Sequence, residues 1–184
     1  EEVYVRRHII DHTPDIIVNT VVASNLERNL YLTTELIDIS PKMVIALNMY
    51  DELERSGAKF DHEALGRMIG VPIVPVVATS GRGIEELLDR LIAVYENRDQ
   101  SVRHIHIGYG SIIEEHLKDL NDDMRQHRNE LTAHFPPRYF ALKLIERDKE
   151  IISLLSSAPH FERWSAMAER ARTQIEQALG EDIE

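Results

Sequence analysis

The sequence predicts an α/β domain built on a mostly parallel sheet, followed by an all-α helical domain. Two observations carry this. Over the first hundred residues, short apolar runs rich in Ile and Val alternate with amphipathic stretches of helical period, the signature of a parallel sheet covered on both faces. After Gln100 only the helical period remains.

The elements follow in order. The chain opens at Glu1 in what reads as a helix, so more sequence is expected before it. Residues Ile16 to Ala23 read as a strand, and Asn25 to Ile39 as a helix with Leu26, Leu30, Thr33 or Thr34 and Ile37 on one face. Lys42 to Leu47 is a second strand. Asp61 caps a short helix that runs through Met68 and is closed by Gly70. Val71 to Ala78 is a third strand containing two prolines. Ile84 to Tyr95 is a helix, apolar at Ile84, Leu87, Leu88, Leu91 and Ile92. The polar stretch Asn97-Arg98-Asp99-Gln100 marks a boundary, giving domains over residues 1–98 and 99–184. A short segment, Val102 to Ile107, leads into helices over Ser111 to Leu131, Arg138 to Leu155 and Phe161 to Leu179, with prolines at 136, 137 and 159 between them.

Bulk properties exclude several classes. Hydrophobic residues at 43% and charged residues at 29% fit a folded globular chain. The stretch to Gln100 carries 10 basic and 17 acidic residues, the remainder 11 and 15. Neither half has the basic excess that a nucleic-acid backbone demands. With no cysteine, disulfides and thiolate zinc sites are ruled out. No apolar run is long enough to span a bilayer as a helix.

The chemistry concentrates at two strand ends. The second strand ends in Asn48-Met49-Tyr50-Asp51 and the third in Val77-Ala78-Thr79-Ser80-Gly81-Arg82-Gly83. In open α/β sheets, ligands sit beyond the carboxyl ends of the strands. A carboxylate there accepts two hydrogen bonds from adjacent N–H donors; guanine offers such a pair and adenine does not. Asp51 is the candidate for that contact, with Asn48 bracing the loop. Ala78, Thr79 and Ser80 form a loop whose small residues let backbone N–H groups approach a ligand. Asn and Asp also favour such turns for purely local reasons, so convergence of the two loops on one crevice is what favours a site. An exposed Arg82 is read as a loop residue.

These motifs resemble the fourth and fifth motifs of small G proteins, Asn-Lys-x-Asp and Ser-Ala-Lys. Met49 stands in place of the lysine, Val77 in place of the serine, and Thr79 in place of the second lysine. Methionine in the fourth motif is a habit of FeoB proteins. The runs Ala23-Ser24-Asn25-Leu26-Glu27-Arg28-Asn29-Leu30-Tyr31-Leu32 and Arg138-Tyr139-Phe140-Ala141-Leu142-Lys143-Leu144-Ile145-Glu146 are similar to that family too. The opening Glu1-Glu2-Val3-Tyr4-Val5-Arg6-Arg7 resembles the helix after its second switch. The resemblance departs at Val22, where relatives often carry aspartate.

The resemblance implies a P-loop-type GTPase domain, represented by its C-terminal part, then a helical spacer described as inhibiting nucleotide dissociation. It implies a ferrous-iron transporter at the cytoplasmic face of the bacterial inner membrane, in which GTP binding and hydrolysis control uptake. The implied ligands are GTP or GDP, read by Asn48, Met49, Asp51, Ala78, Thr79 and Ser80, with Mg2+ held by residues outside this chain. The implied partners are the membrane-embedded part of the same transporter and, as a further option, a second copy of the chain. No G-x-x-x-x-G-K-[ST] phosphate loop occurs here, so no catalytic residue is assigned and the chain alone is expected not to hydrolyse GTP. Such a loop and an Asp-x-x-Gly motif are expected upstream of Glu1. With two lysines and a serine replaced, rapid GDP release and a mobile fifth-motif loop are expected. The rival reading is a nucleotide-free interaction module that docks to a membrane transporter. Nine histidines raise a metal reading, but the pairs His8/His12, His104/His106 and His116/His127 lack the clustered ligands of a first-row metal site; no metal residue is assigned.

Overall fold

The computed structural model describes residues 2–39, 41–103, 105, 107–130 and 132–183. The chain divides into two compact units, Glu1–His106 and Ile107–Glu184.

The first unit opens with α1 (Glu2–His12), followed by β1 (Ile17–Val22), a 3-10 turn (Ala23–Asn25) and α2 (Leu26–Ile39). Then come β2 (Met43–Asn48), α3 (Tyr50–Arg55), α4 (His62–Ile69), β3 (Ile73–Pro75) and α5 (Ile84–Tyr95). The strands form one parallel sheet in the order β1-β2-β3. The middle strand is buried from Met43 to Leu47, as expected of a strand covered on both faces. One face carries Val44, Ala46, Val74 and Val76 against Leu87 and Val94. The outer strand β1 alternates instead, with Asn19 and Val21 inward and Val18 and Thr20 exposed. Buried Asn19 is satisfied because its amide donates to Thr33 Oγ1 at 2.8 Å.

Local signals fixed several boundaries. The Asp61 side chain accepts from Ala64 N–H at 2.8 Å, and Gly70 ends α4 at φ 70°. Gly70 has a second reason to be glycine: a Cβ would meet the Arg103 carbonyl oxygen at 2.4 Å.

Four expectations need correction. The third strand spans only Ile73–Pro75: Pro72 has no N–H to extend the ladder before it, and after Val76, whose N–H still reaches Leu47 O at 2.9 Å, the chain turns into the Val77–Arg82 bridge. Leu88 and Ile92 of α5 are about half exposed; Val94 joins the core in their place. The helix expected from Ser111 ends at Gln126. The helix expected over 138–155 is two helices, separated at Arg147 in the left-handed region (φ 59°) and restarted by Asp148, whose carboxylate accepts from the N–H groups of Glu150 and Ile151.

The second unit thus holds α6 (Ser111–Gln126), α7 (Pro137–Ile145), α8 (Lys149–Leu155) and α9 (Phe161–Leu179). Its core includes Leu117, Leu120, Phe140, Leu155, Trp164 and Ile175. Arg138 grips Glu114 through both guanidinium nitrogens, at 2.6 and 2.7 Å, tying α7 to α6.

Candidate functional site at the strand ends

Asn48 is the last residue of β2. Met49 follows in the left-handed conformation (φ 58°, ψ 31°) and turns the chain into α3, an unexpected short helix. A non-glycine residue there is uncommon outside turns and functional loops. The turn puts Asp51 in the first turn of α3. Its carboxylate pairs with Arg55 one turn on, and Arg55 Nε also donates to the Asp51 carbonyl at 3.1 Å. Tyr50 N–H donates to Val76 O at 3.3 Å, fastening this segment to the end of β3.

The second segment is a closed turn. Val77 and Arg82 form an antiparallel bridge, with Val77 N–H donating to Arg82 O at 2.9 Å. Inside it, the N–H and hydroxyl of Ser80 both donate to Val77 O, at 3.1 and 3.2 Å. Ala78, Thr79 and Ser80 are exposed. Gly83 sits at φ 79°, where a Cβ would lie 2.2 Å from the Pro75 carbonyl oxygen; only glycine lets the turn close against β3.

The two segments meet. Asn48 Oδ1 accepts a hydrogen bond from Ala78 N–H at 3.2 Å. Arg82 grips Glu54 on α3 through both nitrogens, at 2.8 and 2.5 Å. That bond holds the Glu54 carboxyl below its ordinary range, and its partner raises Arg82. Ser24 Oγ donates to Glu52 at 3.3 Å, bringing the 3-10 turn alongside α3. Neither Glu54 nor Glu52 was singled out in the sequence. Glu54 lies 28 residues from Arg82, and no local spacing announces such a pair. The assigned residues therefore lie together at the carboxyl ends of β2 and β3. A cavity of about 580 Å³ lies elsewhere, lined by Arg67, Ile73, Arg90 and Arg103 among others.

Among the described residues, no group of three or more His, Asp or Glu side chains is placed to hold a metal ion. His8 and His12 stack on α1 with ring centroids 4.2 Å apart. His127 packs against His160 and not against His116 (ring centroids 4.5 Å apart). His104 and His106 lie outside the described residues.

Two family models match, together taking in nearly the whole chain: the ferrous iron transport protein B model over residues 1–91, and the FeoB cytosolic helical domain model over residues 109–184. The chain belongs to the FeoB family. A FeoA/FeoB fusion protein of Porphyromonas gingivalis is 44% identical over 160 residues, which is 86% of this chain but 19% of that protein. The Fe(2+) transporter FeoB of Salmonella typhimurium is 41% identical over 99 residues, 54% of this chain and 13% of that one. The chain thus spans a fifth or less of the length of these FeoB proteins. Among solved structures, mGMPPNP-bound NFeoB from S. thermophilus superposes with a TM-score of 0.81 at 26% identity, covering 97% of this chain and 64% of that one. The cytosolic domain of T. maritima FeoB in apo form gives 0.70 at 25% identity, covering 96% and 70%. The first unit accordingly has part of the FeoB G-domain fold, and the second corresponds to the FeoB cytosolic helical domain.

Proposed function

We propose that this chain supplies the guanine-reading side of the FeoB nucleotide pocket, in a protein where GTP binding and hydrolysis control ferrous-iron uptake. The observation that carries this is the Asn48–Ala78 hydrogen bond, which joins the two motifs at one place across 30 residues. Asp51 accepts from the two adjacent guanine N–H groups, and the Ala78 N–H is offered to the base carbonyl. Thr79 and Ser80 cover the base, and Met49 borders it. S. thermophilus NFeoB, of similar fold, has been captured with GDP and with mGMPPNP. Mg2+ and the phosphates require ligands that the assigned residues do not include. The helical unit acts as a spacer towards the membrane-embedded part of the transporter. That places the chain at the cytoplasmic face of the inner membrane, and no helix among the described residues is long and apolar enough to cross it.

The test is Asp51→Asn in the full-length protein containing this sequence, titrated by calorimetry. The amide keeps one acceptor and turns a donor towards guanine. GDP affinity should fall by about 1.5–3 kcal/mol, while xanthosine diphosphate, with a carbonyl in place of the amino group, should gain relative to GDP. Equal GDP affinity of mutant and wild type would remove Asp51 from this role.

A further inference from the structure

We propose that Glu54 and Arg82 are positioning residues, a clip that holds the two base-reading segments together and sets how fast a guanine nucleotide leaves. This rests on the guanine reading above. Glu54 sits three residues after Asp51 on α3. Arg82 closes the Ala78–Ser80 turn, because its own carbonyl accepts the Val77 N–H. The pair therefore bridges the helix that presents Asp51 and the turn that presents Ala78.

Its geometry is the planar fork-to-fork match of guanidinium and carboxylate, the most directional form of ion pair. The negative charge of Asp51 adds to that of Glu54 in holding Arg82 protonated, so the guanidinium is set among the acids of α3. The pair also stands where the sequence lacks other anchors. Relative to the small G-protein motifs they resemble, Met49 and Thr79 bring no lysine charge and Val77 no hydroxyl. A base leaving the crevice must pass between the two segments, and parting them breaks the Glu54–Arg82 pair. The pair is formed here without a base, so entry must part the same segments, and the pair slows nucleotide exchange in both directions. Both side chains are about half exposed, so salt should weaken the clip.

The decisive experiment is stopped-flow release of a fluorescent GDP analogue from the full-length protein, comparing Glu54→Arg, Arg82→Glu and the combined swap. Each single reversal should speed release about two- to fivefold, with association sped by a similar factor. The swap should restore the original rate, a rescue that general destabilisation would not produce. Added salt should speed release from the unaltered protein and slow it in the single variants, where it screens the like charges now facing each other. In the full-length protein without nucleotide, amide exchange at Ala78 and Ser80, whose N–H groups are hydrogen-bonded here, should rise in each single variant and recover in the swap. If the unaltered protein binds no GDP analogue, the guanine reading falls and the clip's role falls with it. If it binds and all variants release at one rate, the clip alone is overturned.

Discussion

Asn48 Oδ1 and the backbone N–H of Ala78 are hydrogen-bonded at 3.2 Å, so the donor assigned to guanine is already in use by its neighbouring motif. Asp51 is in the same position, since its carboxylate is paired with Arg55. Both base-reading groups have internal partners in this structure. Binding a base at these residues must therefore exchange one set of hydrogen bonds for another, with a small net gain for each.

A direct consequence concerns Arg55. Its guanidinium competes with guanine for the Asp51 carboxylate, so removing it should strengthen binding, which is the opposite of what a contact residue would do. We expect Arg55→Ala to tighten GDP about two- to threefold, the scale of an exposed i, i+4 pair. Calorimetric titration of the full-length protein checks this. Weaker binding would mean that Arg55 itself touches the nucleotide.

How much of this was legible depends on how local each cause is. The cap of α4 was readable because Asp61 and Gly70 act on their own neighbours. The ends of α5 were readable from its period and from Gly83 before it. The break at Arg147 was hidden because the apolar period of Leu144 and Ile145 resumes at Ile151, and one left-handed residue leaves no mark on composition. The placement of Asn48 at the end of β2 and of Ala78, Thr79 and Ser80 in the turn after β3 was legible from where the apolar runs end. The Glu54–Arg82 pair was not, because a contact between residues 28 apart depends on how α3 and the loop are placed by the sheet. Arg82 alone reads as an exposed loop residue. The expectation of a weakly anchored loop came from the residue types at Met49, Val77 and Thr79, while the Glu54–Arg82 pair lies beyond what those motifs can show.

The two glycines that flank Arg82 should differ sharply on substitution. Both are left-handed, at φ 77° and 79°, but Gly81 has open space where a Cβ would go, and Gly83 faces the Pro75 carbonyl oxygen at 2.2 Å. Gly81→Ala bears only the left-handed strain, about 1–2 kcal/mol. Gly83→Ala adds a backbone clash and should cost about 2–4 kcal/mol, displacing the turn that carries Ala78. Urea unfolding of the two variants gives the comparison. Equal losses would show that the turn can move away from β3 without cost.

In the helical unit, Asp123 is buried, accepts from Trp164 Nε1 at 3.0 Å and pairs with Arg163. Asp123→Ala leaves the indole N–H of a fully buried Trp164 without its acceptor and should destabilise the unit by about 2–3 kcal/mol. Trp164→Phe removes the donor and its desolvation together. It should leave a volume deficit beside a carboxylate that Arg163 still holds. Circular dichroism during urea unfolding reads both. A loss below about 0.5 kcal/mol for Asp123→Ala, the range of ordinary surface changes, would show that the bond adds nothing net.

Asp99 gives a pH dependence with a definite sign. Its side chain is 4% exposed and meets Arg90 Nη1 at 3.1 Å, and it accepts from the N–H and hydroxyl of Ser101. Burial alone would raise its pKa, but the Ser101 and Arg90 bonds outweigh burial and hold it below the ordinary aspartate value. A carboxyl with a depressed folded-state pKa stabilises the fold fully above its unfolded value, and that contribution is lost as pH falls through the lower, folded value. Other carboxylates in this acidic chain add their own slopes, so the informative quantity is the difference between wild type and Asp99→Asn. Wild type should be the more stable by a constant margin above about pH 5. The margin should shrink steadily below about pH 4 as the Asp99 carboxyl takes up a proton and its bonds to Ser101 and Arg90 weaken. Urea midpoints collected across that range decide the matter. Two curves that stay parallel down to the acid limit would mean that the Asp99 carboxylate gains nothing from its partners on folding.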